Sequence, residues 1–94
     1  MTLLLKDPAA VLDYAVDWGA EYLGTDDELA ESEWSVDPDV PGGVTVVGSG
    51  FEGRVASVQA GGGVAGRLYR LSNRVITFSG RTDERSIVLR VEKR

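Results

Sequence analysis

The sequence predicts an all-β fold: a single immunoglobulin-like antiparallel β-sandwich of about seven short strands, spanning residues 1–94 as one domain. Three observations predict it. Apolar and polar residues alternate with period two in successive stretches, as expected for strands with one face on a core and one in water. Clusters of Gly, Pro, Asp and Ser separate those stretches at short intervals. Gly66, three residues before Tyr69 at the start of a long strand, resembles the tyrosine corner of such sandwiches.

In chain order, Asp7-Pro8 is the first break. Over residues 9–23, Leu12, Tyr14, Val16 and Trp18 alternate with Asp13, Ala15 and Asp17. Leu12, Ala15, Val16, Gly19 and Leu23 also suit a helix opened by Asp7-Pro8. The strand is preferred, because the acids fall on one side and the large apolar groups on the other. Residues 24–28 read as a loop. Residues 29–36 read as a strand with Ser32, Trp34 and Val36 on one face, and Trp34 is expected to be the core aromatic.

Asp37-Pro38-Asp39 and Pro41-Gly42-Gly43 close that strand. Residues 44–47 form a short strand, Gly48-Ser49-Gly50 a loop, residues 54–60 another strand and Gly61-Gly62-Gly63 a turn in which positive φ is cheap. The longest strand covers 67–78. Tyr69, Leu71, Asn73, Val75 and Thr77 share its core face, and Leu68, Arg70, Ser72, Arg74, Ile76 and Phe78 share the other. A hairpin loop over residues 79–84 leads to a last strand at 85–93, with Ile87, Leu89 and Val91 inward.

A chain of 94 residues buries roughly 60–65% of its unfolded surface, enough for a modest core without a deep cleft. It holds no Cys and no His. That removes disulfides, thiolate chemistry, the commonest metal ligand and the commonest general base. No enzymatic activity and no cofactor are expected. The opening residues carry only three consecutive leucines and no basic region before them. They do not form a signal peptide, no stretch reaches the roughly 20 apolar residues of a membrane helix, and a soluble protein made inside the cell is expected.

Charge is distributed unevenly. Residues 1–52 carry twelve Asp/Glu and one Lys, a net of −11, and residues 53–94 carry nine Lys/Arg and three Asp/Glu, a net of +6. The split suggests either acidic and basic strands pairing within one domain, or charge-matched assembly between copies or with a partner. Nucleic acid is not the expected partner. The whole chain is acidic at −5, and the basic half offers only Tyr69, facing inward, and Phe78 for stacking.

Other chemistry-bearing residues have plainer readings. Asp26, Asp27, Glu28, Glu31, Glu33, Asp37 and Asp39 match no calcium-loop spacing and read as a solvated face. Asp13 and Asp17 lie on an outer strand face, without the burial that would tune a carboxylate pair for acid–base work. The glycine clusters lack a following helix and the Lys-Ser/Thr of a phosphate loop. Ser49 has no histidine partner, which leaves only a Ser-Lys variant of the hydrolase triad. Asn73, on the core face, needs hydrogen-bond partners. Ile76, Phe78 and Val88 share a nominal outer face with Arg70 and Arg74; this is either a protein interface or a strand end turned inward by a bulge.

Beyond these local patterns, two larger runs carry a family resemblance. The first is Lys6-Asp7-Pro8, Val11-Leu12-Asp13-Tyr14, Asp17-Trp18 and Ser32-x-Trp34-x-Val36. The second is Gly63-x-x-Gly66-x-x-Tyr69-x-Leu71-x-Asn73-Arg74-Val75-x-Thr77, then Gly80-Arg81-Thr82-Asp83-Glu84-Arg85-Ser86 and Val88-x-Arg90-Val91. Together they resemble a family of small tailed-phage virion proteins, the phage fibre-tail adaptor proteins, over nearly the whole chain. The segments at 19–23 and 55–60 depart from that pattern.

The resemblance implies a structural protein of a phage or prophage particle, made in the host cytoplasm and located in the virion. It would bind tail, fibre or head components, with no membrane or nucleic-acid role and with homo-oligomerisation as a further expectation. Arg81, Thr82, Asp83, Glu84 and Arg85 at the expected hairpin tip, with Arg70, Arg74 and Phe78 below, are the expected contact residues. The alternatives are a capsid decoration or head–tail joining protein, and a carbohydrate- or ligand-binding sandwich, for which Tyr22 is the one easily exposed aromatic.

Overall fold

The computed structural model describes residues 2–19 and 27–93. Every regular element among them is a strand: β1 (Thr2–Lys6), β2 (Leu12–Asp17), β3 (Leu29–Asp37), β4 (Val44–Glu52), β5 (Val55–Gly62), β6 (Leu68–Thr77) and β7 (Thr82–Val91). They form a four-stranded sheet in the order β1-β7-β6-β3 and a three-stranded sheet in the order β2-β5-β4. The two sheets pack as a sandwich around Trp18, Val58, Tyr69, Leu71, Val75, Leu89 and other buried side chains.

Alternation decides most of this. On β6 every second residue from Tyr69 to Thr77 is buried, and on β7 Ile87, Leu89 and Val91 turn inward beside it. Residues 12–17 adopt the strand, not the helix, and pair with β5. Gly53 has φ 61° and opens the two-residue turn to β5, the position at which a type II′ hairpin needs glycine.

Tyr69 ties the start of β6 to the turn before it. Its ring is buried, and its hydroxyl accepts the Val64 N–H at 2.9 Å, five residues upstream. Asn73 finds all its partners. Its Oδ1 accepts the Trp18 indole N–H at 2.9 Å, and its Nδ2 donates to Ser32 Oγ at 2.9 Å and to the Glu33 carbonyl at 3.0 Å. This amide ties the end of β2 to β3 and β6, satisfying polar groups that would be costly to bury alone.

Four expectations are corrected. The chain has a strand at its start: β1 pairs in parallel with β7, so the sandwich is not wholly antiparallel. Gly48-Ser49-Gly50 lies inside β4, where a register shift between Val46 and Gly48 absorbs the irregularity. Thr82, Asp83 and Glu84 already belong to β7, paired with Ile76, Val75 and Arg74; the turn is confined to residues 78–81. The fully buried tryptophan is Trp18, while Trp34 is half-buried against the core margin, because β3 is the last strand of its sheet.

Candidate partner-binding surface

The outer face of the four-stranded sheet is built by the residues that alternate with the core. The strand register arranges them in rows. One row runs Leu3, Val88, Arg70, Asp37, and another runs Glu84, Arg74, Glu33. A third sets Leu5, Arg90 and Leu68 side by side.

The charge split is therefore partly answered inside the chain. Acidic β3 lies beside basic β6, with Asp37 opposite Arg70 and Glu33 opposite Arg74. Cross-strand pairs of opposite sign contribute about 0.2–1 kcal/mol each. Among the described residues neither Arg70 nor Arg74 closes a salt bridge with its opposite acid, so this attraction lies at the low end of that range and both guanidinium groups stay exposed at the surface. Arg90 instead pairs with Glu92 at 2.7 Å.

Apolar groups share this face. Leu3 is 59%, Leu5 48% and Leu68 57% exposed, and Val88 is half-buried between them. Leucines brought together in this way on a strand face are a mark of an interaction site. Sequence reasoning placed Leu68 outward but missed the patch, because its other half comes from the unassigned β1. The run of three leucines was the only available signal.

Phe78 stands at the far end of the same sheet and is 75% exposed. No bulge turns it inward; β6 pairs with β7 without a register shift up to Ile76. Its position is fixed from both sides. The Phe78 N–H donates to the Glu28 carbonyl at 3.0 Å. The next residue, Ser79, donates its hydroxyl to Asp27 Oδ2 at 2.6 Å and its N–H to Oδ1 at 3.3 Å. Hydrogen bonds from Ser79, then from Thr77 and the local backbone, hold the Asp27 carboxyl below its ordinary range.

The expected contact residues divide into two groups. Arg70, Arg74, Thr82 and Glu84 face outward, and Phe78 and Arg81 are exposed beside them. Asp83 and Arg85 do not join them. They are half-buried and alternate with the outward residues of β7. Asp83 accepts the Glu84 N–H at 2.7 Å, and the Arg85 guanidinium sits 5.1 Å from the centroid of the Trp18 ring. The sequence reading placed both at a loop tip because it began β7 three residues late.

The remaining candidates scatter. Asp13 and Asp17 are exposed on β2, as expected. Asp26 and Tyr22 lie outside the described residues. Among the described residues no three acidic side chains converge as a metal site would require. Lys6 is fully buried, an outcome its charge did not suggest. Its amine donates to the carbonyls of Asp7 at 2.9 Å and Gly62 at 2.6 Å. Burial lowers its pKa, partly opposed by the neighbouring Asp7 carboxylate.

With the surface in place, the comparison with known families is decisive. A family model described as podophage GP4 fiber-tail adaptor protein gp77 matches residues 6–90. The chain belongs to this family. It is a phage virion structural protein of the fibre-tail adaptor type, and such an adaptor binds other structural proteins of the particle. Among curated proteins, none matches the chain. The adaptor's match begins at Lys6, the buried end of β1, and stops at Arg90, one residue before the end of β7.

Proposed function

We propose that the adaptor docks onto another virion protein through the outer face of its four-stranded sheet. The observation that carries this reading is the row pattern itself: exposed Leu3, Leu5 and Leu68 interleaved with Arg70 and Arg90. Apolar groups beside arginine are the composition of interface centres. Phe78, held in place by the Asp27–Ser79 bonds, is a second anchor, with Arg74, Arg81, Thr82 and Glu84 forming a polar rim between them.

The adaptor acts in the particle by contact alone, without catalysis, cofactor, membrane or nucleic acid, after synthesis in the host cytoplasm. The absence of His and Cys supports the non-catalytic reading, and so does the position of Ser49 within a strand. Homo-oligomerisation belongs to this proposal as well, and salt-dependent association of the purified protein tests it. The immunoglobulin-like reading of the sandwich is supported by strand placement. The second, fifth and fourth strands share one sheet and the third, sixth and seventh the other, as in immunoglobulin folds.

The decisive experiment replaces Leu68 with Asp and Arg70 with Ala together, then measures incorporation into particles. We expect an unchanged melting temperature and incorporation reduced at least tenfold. Normal incorporation of the stable double variant would move the contact surface elsewhere. Arg85→Ala is unsuitable for this purpose, because it also removes the guanidinium stacked on Trp18.

A further inference from the structure

The sandwich is open along one side. β3 ends the four-stranded sheet and β4 ends the other. On β4, Ser49 and Phe51 are opposite Val58 and Ala56. Those partners are buried, so Ser49 and Phe51 share their core-facing side, yet both are exposed, Phe51 by 42%. Among the described residues no strand lies beyond β3 to cover them.

Two clefts follow this open side. One, of about 360 Å³, wraps the edge of β3 from Ala30 to Glu33 and reaches Phe51 and Ile76. The other, of about 310 Å³, is lined by Trp34, Val36 and Val46. The indole N–H of Trp34 is buried and has no acceptor, an omission that native structures rarely leave unfilled. The available edge is bounded at both ends. The Leu29 N–H is already taken by the Gly53 carbonyl at 2.9 Å, and the strand ends at Asp37, before Pro38, which has no N–H to offer.

We propose that the free edge of β3 is a strand-addition site for an extended segment of another protein, in which apolar and basic residues alternate. An added strand presents alternate side chains to opposite faces. One set covers Phe51 and Ser49. The other meets Glu31 and Glu33, two positions apart and exposed on the outer face; Arg74 of β6 lies opposite Glu33 and lines the same cleft, whereas Glu31 lies opposite Ile76 and faces no cation across β6. Cations opposite those acids are favoured and acids are opposed.

Charge argues against a second copy of this chain as the occupant. Its free edge strands are β1, β2, β4 and β3 itself, and β3 brings only its own acids, Glu31, Glu33 and Asp37. β1 offers outward Leu3 and Leu5, with its lysine buried. β2 offers Asp13 and Asp17, and β4 carries Glu52. None brings a cation to Glu31 and Glu33. The proposal rests on the adaptor reading, since a protein that joins two components needs two separate surfaces, and this edge would be the second.

The test uses the full chain and a capped hexapeptide of alternating Lys and Val, followed by NMR and amide exchange. We expect the Trp34 indole resonance to shift and exchange of the alternate amides of 30–36 that point away from β6 to slow at least tenfold. A Glu/Val hexapeptide should bind at least tenfold more weakly, and Phe51→Ser should weaken Lys/Val binding at least tenfold at unchanged melting temperature. Equal binding of the Glu/Val peptide, protection on β1 or β2 instead, or no saturable binding at millimolar peptide overturns the proposal. So does concentration-dependent protection of 30–36 without peptide, which would make the occupant a second copy. None of these outcomes touches the adaptor reading, which stands or falls on incorporation into particles.

Discussion

Trp18 and Trp34 occupy similar places in the sequence and opposite places in the fold. Each follows a stretch of alternating residues, each faces the space between the sheets, and only one is closed in. Trp18 is fully buried, bonded through its indole to Asn73 and covered by Arg85. Trp34 is half-buried, and its indole N–H has no acceptor. Alternation selects the face of a sheet, whereas burial also depends on whether another strand lies beyond. β2 is an edge strand too, but Trp18 sits beneath β6 and β7, while nothing among the described residues covers β3 on its outer side.

The largest expected effect breaks this contrast if it fails. Trp18→Ala should cost about 3–5 kcal/mol, as truncation of a buried aromatic does. Trp34→Ala should cost about 1–2 kcal/mol, in keeping with half the burial. Equal losses in urea unfolding would place the two rings in equivalent environments. Asn73→Ala comes next, at about 2–3 kcal/mol, because it leaves the Trp18 donor buried without an acceptor. A loss below half a kilocalorie would show that water replaces the amide.

Lys6→Met should cost about 1–2 kcal/mol by leaving the Asp7 and Gly62 carbonyls without their donor. A gain in stability would mean that burying the amine outweighs both bonds. The smallest effect concerns Asp27. Its folded-state pKa lies below the ordinary value of 3.8. Its contribution is therefore complete above 3.8 and fades as pH falls through the depressed value. Asp27→Ala should be less stable than wild type near neutrality, and the two should converge in acid. A difference that persists undiminished in acid would remove the carboxylate from the account.

The alternating elements were legible in the sequence. β2, β3, β6 and the inward residues of β7 follow from period-two patterns, and the partnering of Asn73 follows from the demand of a buried amide. β1 was not legible, because consecutive leucines show no period and their partner is remote in sequence. Glycines hid the middle of β4, and a polar start hid the first residues of β7. The contact surface was half legible. Arg70, Arg74 and Phe78 emerge from alternation on one strand, while the leucine patch and the open edge of β3 depend on which strands lie side by side, and that order is not written locally.

The parallel pairing of β1 has a consequence in time. Thr2 lies opposite Ile87, and Lys6 opposite Val91, so β1 finds its partner only when β7, made more than seventy residues later, has emerged. Until then the leucine-bearing segment has no hydrogen-bonding neighbour, and its lysine cannot yet close on the Gly62 carbonyl in its final setting. Contacts so distant along the chain slow folding. The four-stranded sheet is thus completed at one edge, where β1 joins β7, in a closing step that cannot precede β7.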